Sequence, residues 1–210
     1  MPPKADPQLH SSLAGVPRET LDRLRQYQAL LEKWQRAINL VGPATIPDAW
    51  NRHFIDSTQL LSLLPHSPAT LYDLGCGAGF PGLVLAMMCP DLSVTLIESD
   101  QKKCAFLATV SHETKTEVKI LTTRIEAAAE TLPPPDIITA RALAALPLLL
   151  TYIKPWAEAN PNLICIFPKG AQAAAEIEAA QEIAGFDVKQ QPSQTDSVAQ
   201  ILVLSNILYK

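Results

Sequence analysis

From Thr70 onward the chain alternates short apolar runs with longer stretches of helical length, and few folds accommodate that rhythm. The runs are TLYDLG, SVTLIES, VKIL, DIITAR, LICIFPKG, FDVKQ and QILVLS. Between them, Pro81 to Cys89, Asp100 to Glu113, Ala142 to Ala157 and Ala171 to Ala184 are long enough to be helices. Strands joined by crossovers of that size pair in parallel, and a parallel sheet is covered by helices on both faces. The expected fold is therefore α/β, a doubly wound and mostly parallel sheet. Ligands of such sheets sit beyond the carboxyl ends of the strands, so functional residues are expected just after each apolar run.

Ahead of the sheet, beyond a Pro-rich start, Leu21, Leu24, Leu31, Trp34 and Ile38 recur at sums of three and four, the mark of a helix with one buried stripe. A second helical stretch is expected from about Pro47 to Leu64, with Pro47 in its first turn and Trp50, Phe54, Leu61 and Leu64 available to pack. Two such helices are too small for a core of their own. We expect an N-terminal helical extension over 1–66 lying against a main domain over 67–210.

Several function classes are disfavoured by composition. The longest apolar stretch, Ala142 to Ile153, is interrupted by Pro147 and falls short of the roughly 20 residues that cross a bilayer. The start, MPPKADPQLHSS, has no apolar h-region, so the expected location is the cytoplasm, with no membrane partner. Cys76, Cys89, Cys104 and Cys165 form no C-x-x-C pair and have no His at ligand spacing, which argues for free thiols and against a bound metal. The net charge of −4 does not favour a general polyanion binder. Residues 1–53 nevertheless carry seven Lys/Arg against five acids, a balance of +2 on a body of −6, which permits a local basic patch.

The strongest local signal is LYDLGCGAGFPG, where Gly75, Gly77, Gly79 and Gly82 follow a strand and Pro81 can begin a helix. Glycines let the backbone turn sharply and approach a ligand, and a helix start offers N–H groups to a polar or negative ligand group. Glu98 ends the second run 23 residues after Gly75, about where a carboxylate accepts from ribose hydroxyls. Together they indicate an adenosine-containing cofactor. The pattern Gly77-x-Gly79-x-x-Gly82 also satisfies the dinucleotide fingerprint. Asp73, just before the glycines, argues against a nearby pyrophosphate and suits a cationic cofactor such as a sulfonium. The bland alternative is a tight turn beside a solvated Glu98.

With these residues placed, the chain resembles the RsmG (GidB) family of ribosomal RNA guanine-N7 methyltransferases, from about Leu30 to about Leu204. LEKWQRAINLVG is similar to the family's N-terminal helix, and RHFIDS (Arg52, His53, Asp56, Ser57) to its Arg-His-x-x-Asp-Ser segment. DLGCGAGFPGLVLA matches the cofactor loop, ESDQKKCAFL a following acid-Ser segment, and TRIEA, ARALAAL and PKG later motifs. Phe80-Pro81-Gly82 and the RHFIDS segment are more specific than the glycines alone. The resemblance implies a methyltransferase sheet of the Rossmann-like type that binds S-adenosylmethionine and methylates 16S ribosomal RNA of the small ribosomal subunit; a monomer is expected.

Carried over by residue, the resemblance sets the cofactor against Gly75, Phe80, Ile125, Glu126 and Arg141, with Gly77 and Gly79 in the same loop and Glu98 on the ribose. Arg141, Lys169 and Arg124 are the expected catalytic residues, Lys169 holding phosphate or the guanine O6 and Arg141 orienting cofactor or base. Rival readings for each are a surface charge at a strand end, and for Arg52, His53 and Asp56 an internal salt-bridge network along one helix face. Lys102 and Lys103, at a helix start where cations are disfavoured, suit a phosphate or a solvated face. Val198-Ala199-Gln200 stands where the family often has a basic residue, a departure from its pattern at the end that would meet RNA. Three other functions stay open at this point: a methyltransferase with a protein or small-molecule acceptor, an NAD-dependent oxidoreductase, and a non-catalytic ribosome-associated module.

Overall fold

The computed structural model describes residues 13–65 and 68–210; the Pro-rich start over 1–12 and the expected boundary at 66 and 67 lie outside the described residues. Strands β1 (Ala69–Leu74), β2 (Leu92–Glu98), β3 (Lys119–Thr122), β4 (Ile137–Thr139), β5 (Ile164–Lys169), β6 (Ala184–Pro192) and β7 (Gln200–Tyr209) form one sheet in the order β3-β2-β1-β4-β5-β7-β6. The first five strands run parallel, and β7 lies antiparallel between β5 and β6. Each apolar run of the sequence is one of these strands, and the α/β doubly wound fold is as expected.

Strand side chains alternate between the two faces, and the core divides accordingly. Leu71, Leu96, Ile137, Ile166 and Ile201 join one buried cluster, while Tyr72, Ile97, Ile138, Phe167 and Leu202 join the other. The first face is covered by α1 (Arg18–Trp34), α3 (Gly82–Met88) and α4 (Gln101–Thr114), which contribute Leu24, Leu31, Leu83, Leu85, Phe106 and Val110. On the second face lie α5 (Ile125–Thr131), α6 (Leu146–Ala159) and α7 (Ala173–Gln181), with Leu149, Ile153, Trp156, Ile177 and Ala180 buried. Burial on both faces explains why the central strands read as continuous apolar runs. Among the described residues no helix is long and apolar enough to cross a membrane.

The N-terminal elements depart from the expected pair of helices. The first ends at Trp34 and not at Ile38, because the Gln35 side chain folds the chain back: its Oε1 accepts from the amides of Leu40 and Val41, each at 3.0 Å, and its Nε2 donates to the Val41 carbonyl at 2.9 Å. The second is a succession of different helical turns: a 3-10 turn over Pro43–Asp48, a π-helical stretch over Trp50–Ile55, the single α turn α2 (Asp56–Thr58), and another 3-10 turn over Gln59–Leu63. Pro43 takes the first position and Pro47 lies inside the turn. Hydroxyls that bond back to helical carbonyls compete with a regular ladder. Ser57 does so to His53 at 2.6 Å and Thr58 to Ile55 at 2.9 Å. Trp34, Trp50, Phe54 and Leu61 all pack on the sheet's first cluster, so Trp34 and Trp50 are core residues.

Two further differences lie nearer the site. Helix α6 starts at Leu146 and not at Ala142, because Ala142 adopts φ +52 and breaks the helical path ahead of Pro147. Helix α5, which buries only Ile125 and Ala128, has too short an apolar face for its periodicity to mark it.

Candidate active site

At the carboxyl end of β1 the chain turns through Gly75 with φ +57, into the left-handed region that glycine alone enters at little cost. A Cβ on Gly75 would stand 2.5 Å from Leu143 Cδ1, so the glycine also lets the loop after β4 close on the turn. Gly79 is required for a different reason. A Cβ there would meet Leu83 at 2.6 Å, the Tyr27 hydroxyl at 2.8 Å and Leu107 at 2.9 Å, all on the core side of the turn. Tyr27 donates to the Ala78 carbonyl and stacks on Phe80 at 5.0 Å, which ties α1 to the glycine turn.

The amides of this turn are largely engaged by the protein itself. Gly77 N donates to Glu98 Oε2 and Gly82 N to Asp73 Oδ2, both at 2.9 Å, while Cys76 N reaches Ile97 O and Gly79 N reaches Cys76 O. A pyrophosphate cradle needs such amides free, so the dinucleotide alternative loses its support. Asp73 corrects an expectation. It is fully buried, donor groups of Gly82 and Thr139 occupy its two oxygens, and it lines neither cavity, so it braces β1, β4 and α3 and does not face a ligand. Burial raises its pKa to about 7, against the opposing pull of those hydrogen bonds. Burial likewise pushes the Cys76 thiol well up, which keeps it protonated.

Two cavities open beyond the strand ends. The smaller, about 280 Å³, is lined by Glu98, Arg124, Ile125, Glu126, Leu143 and Tyr152 among others. The Glu98 carboxylate accepts from Gly77 N through Oε2 and from Asp100 N through Oε1. A carboxylate has about four lone-pair sites, so Glu98 is fixed in place with acceptor capacity to spare. The larger cavity, about 580 Å³, reaches from Phe80 and Arg141 to the N-terminal segment (Leu40, Thr45, His53, Asp56) and to the β6–β7 connection (Thr195, Asp196, Ala199). Gly75, Lys103 and Ala142 line both cavities, so one elongated ligand can span them.

Arg141 is the hub of the larger cavity. Its guanidinium donates to Asp56 Oδ2 and to the Arg52 carbonyl, both at 3.1 Å, reaches His53 Nδ1 at 3.1 Å, and sits 5.2 Å from the Phe80 ring centroid. An arginine only donates, so His53 Nδ1 must be the acceptor and Nε2 carries the proton. That proton goes to Thr45 Oγ1 at 2.8 Å, and the Thr45 hydroxyl donates to the Gly42 carbonyl at 2.7 Å. Burial, then Arg141, then Arg52, lower the His53 pKa from 6.5 to about 3, so the ring is neutral. Asp56 Oδ1 accepts from Gln59 and from Thr195 Oγ1, which adds the β6–β7 connection to the same network. The rival reading of an internal salt bridge among Arg52, His53 and Asp56 is not met as such: Arg52 pairs with Asp196 at 3.1 Å and Asp56 with Arg141.

The sequence-derived residues divide as follows. Gly75, Gly77, Phe80 and Arg141 line the larger cavity, and Gly75, Glu98, Ile125 and Glu126 the smaller. Gly79 lines neither, since it faces the core. Arg124 lines only the smaller cavity, beside Glu98, away from the Arg141 hub. Lys169 borders the larger cavity, but its amino group is engaged by Glu176 at 2.8 Å and the Ala144 carbonyl at 2.6 Å, so it is not the free cation expected. Lys103, whose backbone amide is capped by Asp100, borders both cavities. Thr45, Leu143, Tyr152, Thr195 and Glu176 had no sequence signal beyond their neighbourhood.

Comparison with known proteins agrees with this geometry. The family model for rRNA small subunit methyltransferase G matches residues 20–201. Ribosomal RNA small subunit methyltransferase G of Rhodospirillum centenum is 48% identical over 194 residues, covering 92% of this chain and 87% of the relative. Among solved structures, magnesium protoporphyrin IX methyltransferase from Synechocystis PCC 6803, with bound S-adenosylmethionine, superposes with a TM-score of 0.58 at 12% identity over 91% of this chain and 99% of that one. Fibrillarin of Aeropyrum pernix, solved with natively bound S-adenosyl-L-methionine, gives 0.57 at 11% identity over 73% and 75%. At such low identity the two structures speak for the shared fold.

Proposed function

Because the chain belongs to the rRNA small subunit methyltransferase G family, we propose that it transfers the methyl group of S-adenosylmethionine to N7 of a guanine in 16S ribosomal RNA of the small subunit. The observation that carries this reading is the state of the larger cavity's titratable groups. Its carboxylates, Asp56 and Asp196, each pair with an arginine, and its imidazole, His53, is neutral with Nδ1 turned to Arg141. An acceptor that must shed a proton in the course of methylation, such as an exocyclic amine or a ribose hydroxyl, would find no free base there. Guanine N7 offers an in-plane lone pair and needs none, so positioning and electrostatics suffice.

The residues present fit S-adenosylmethionine. Glu98 has acceptor capacity for ribose hydroxyls, Ile125 and Leu143 offer apolar walls beside it, and the engaged amides of the glycine turn disfavour a phosphorylated ligand. When bound, that cofactor supplies a methyl on a positively charged sulfur. Transfer to N7 would break the C–S bond with its electrons left on sulfur and pass the positive charge to the purine without moving a proton, so the chain's own residues need only position the two groups. Arg141, held by Asp56 and His53, and Phe80 beneath it orient what enters the larger cavity. Lys103 borders both cavities, Arg52 the larger and Arg124 the smaller, so each is a cation available to a phosphate backbone at the site's rim.

N7 lies on the major-groove edge, which A-form RNA keeps deep and narrow, so the target base must be unpaired or extruded. Such a substrate is met in the cytoplasm. Small-subunit particles reconstituted with RNA carrying 7-deazaguanosine, in which N7 is replaced by C–H, test the atom. Loss of methyl transfer is expected, and undiminished transfer would overturn the N7 assignment.

A further inference from the structure

Lys169 and Glu176 lie at the end of β5 and in α7, and their side chains are 7% and 22% exposed. Their contacts converge on one loop. Lys169 Nζ meets Glu176 Oε2 at 2.8 Å and donates to the Ala144 carbonyl at 2.6 Å, while the same Glu176 oxygen accepts from the Leu146 amide at 2.7 Å. The loop is thus gripped from behind at a carbonyl and at the first amide of α6. Its front carries Arg141, Ala142 in its left-handed conformation, and Leu143. Ala142 lines both cavities, and Leu143 packs where a Cβ on Gly75 would stand. Glu176 itself lines neither cavity.

We infer that Lys169 and Glu176 are positioning residues, a buried ion pair that holds the 141–146 loop against the glycine turn and so shapes the cofactor's side of the site. This rests on the proposed methyltransferase reading. It replaces the expectation that Lys169 touches RNA phosphate or the guanine O6. For Lys169 to turn to a phosphate, Glu176 would be left as an uncompensated, mostly buried charge, which is strongly unfavourable. The strain at Ala142 points the same way, because a non-glycine residue persists at positive φ where its surroundings over-determine it.

The two roles separate on Glu176, which direct contact with RNA does not need. Glu176→Ala, Lys169→Met and the double variant are compared with the wild-type full chain by hydrogen exchange of the 141–146 amides without cofactor, by calorimetric affinity for S-adenosylhomocysteine, and by KM for small-subunit particles. The positioning role predicts faster exchange in 141–146 for both single variants. It also predicts an affinity for S-adenosylhomocysteine reduced on the order of tenfold, the equivalent of about 1.4 kcal/mol. The double variant then loses no more than Lys169→Met alone, because the two residues act as one unit. If Glu176→Ala unfolds, the isosteric Glu176→Gln carries the same comparison. Unchanged exchange and affinity in the Glu176 variant, with Lys169→Met raising only the KM for particles, would overturn the inference. Quickened exchange and weakened binding, with no RNA methylated by the wild type, would keep the pair's role and sink the proposed function instead.

Discussion

Asp56 and Arg141 lie 85 positions apart in the chain and meet at 3.1 Å, each side chain less than a fifth exposed. This contact joins the irregular helical segment before the sheet to the loop after β4, and Thr195, through the other Asp56 oxygen, adds the β6–β7 connection. Three chain segments that share no secondary structure thus build one wall of the larger cavity. Asp56→Ala leaves the mostly buried Arg141 guanidinium without its carboxylate. We expect a stability loss on the order of 2–4 kcal/mol by denaturant unfolding and a larger fall in methyl transfer than in cofactor affinity. Thr195→Ala, which removes one neutral donor, should cost about 1 kcal/mol.

His53 makes a directional prediction. Asparagine places its oxygen near Nδ1 and can still accept from Arg141, whereas glutamine reaches the Thr45 side instead. His53→Asn is expected to keep more transfer activity than His53→Gln, measured under saturating cofactor. Equal loss would mean that the Arg141 contact is dispensable.

The same residue predicts a pH dependence of stability. Its folded pKa of about 3 lies below the ordinary 6.5, so the unfolded chain takes up this proton first as pH falls. The contribution is complete above about pH 6.5 and drains through the window down to about 3, by at most about 1.4 kcal/mol per pH unit. Asp73, raised to about 7, acts in the opposite sense, its contribution being full below about 3.8 and lost as pH rises through 7. The comparison must therefore be a difference: the gap in unfolding free energy between wild type and His53→Asn should narrow from pH 7 to pH 5. A gap independent of pH would contradict a neutral, buried imidazole.

The glycines separate binding from folding. Gly75→Ala drives a methyl into Leu143 at a positive φ and should weaken S-adenosylhomocysteine binding more than it lowers the melting temperature. Gly79→Ala drives one into Leu83, Leu107 and the Tyr27 hydroxyl, and should mainly destabilise the fold by loosening α1. Calorimetric affinity and thermal unfolding on the same preparations check both, and the reverse ranking would refute the division.

How much of this was legible beforehand depends on the range of each interaction. The central strands were visible because burial on both faces writes each as an apolar run, and the Gly75 to Glu98 spacing was visible because both stand at the carboxyl ends of adjacent strands. The winding of 43–63 was not, since hydroxyl-to-carbonyl bonds from Ser57 and Thr58 leave no periodic trace. Arg52 and Asp56, whose spacing also allowed a pair along one helix, instead found partners in distant loops. Lys169 was found by its place after a strand, but its engagement depends on Glu176 in the next helix, which no local pattern announces. Asp73 sat in the right motif and was assigned the wrong neighbour, because sequence does not reveal which side of a turn a carboxylate faces.

Glu98 gives the simplest test of the cofactor's place. Glu98→Ala removes both the proposed ribose acceptor and the brace on Gly77, so affinity for S-adenosylhomocysteine should fall at least about tenfold, the equivalent of one charge-assisted hydrogen bond. Unchanged affinity in a folded variant would move the cofactor out of the smaller cavity.

The central claim is tested most directly by incubating the protein with methyl-labelled S-adenosylmethionine and small-subunit particles lacking the modification, then digesting the 16S RNA to nucleosides. Label in 7-methylguanosine is the predicted result. Label in another nucleoside, in ribosomal protein, or nowhere despite measurable cofactor binding would contradict it.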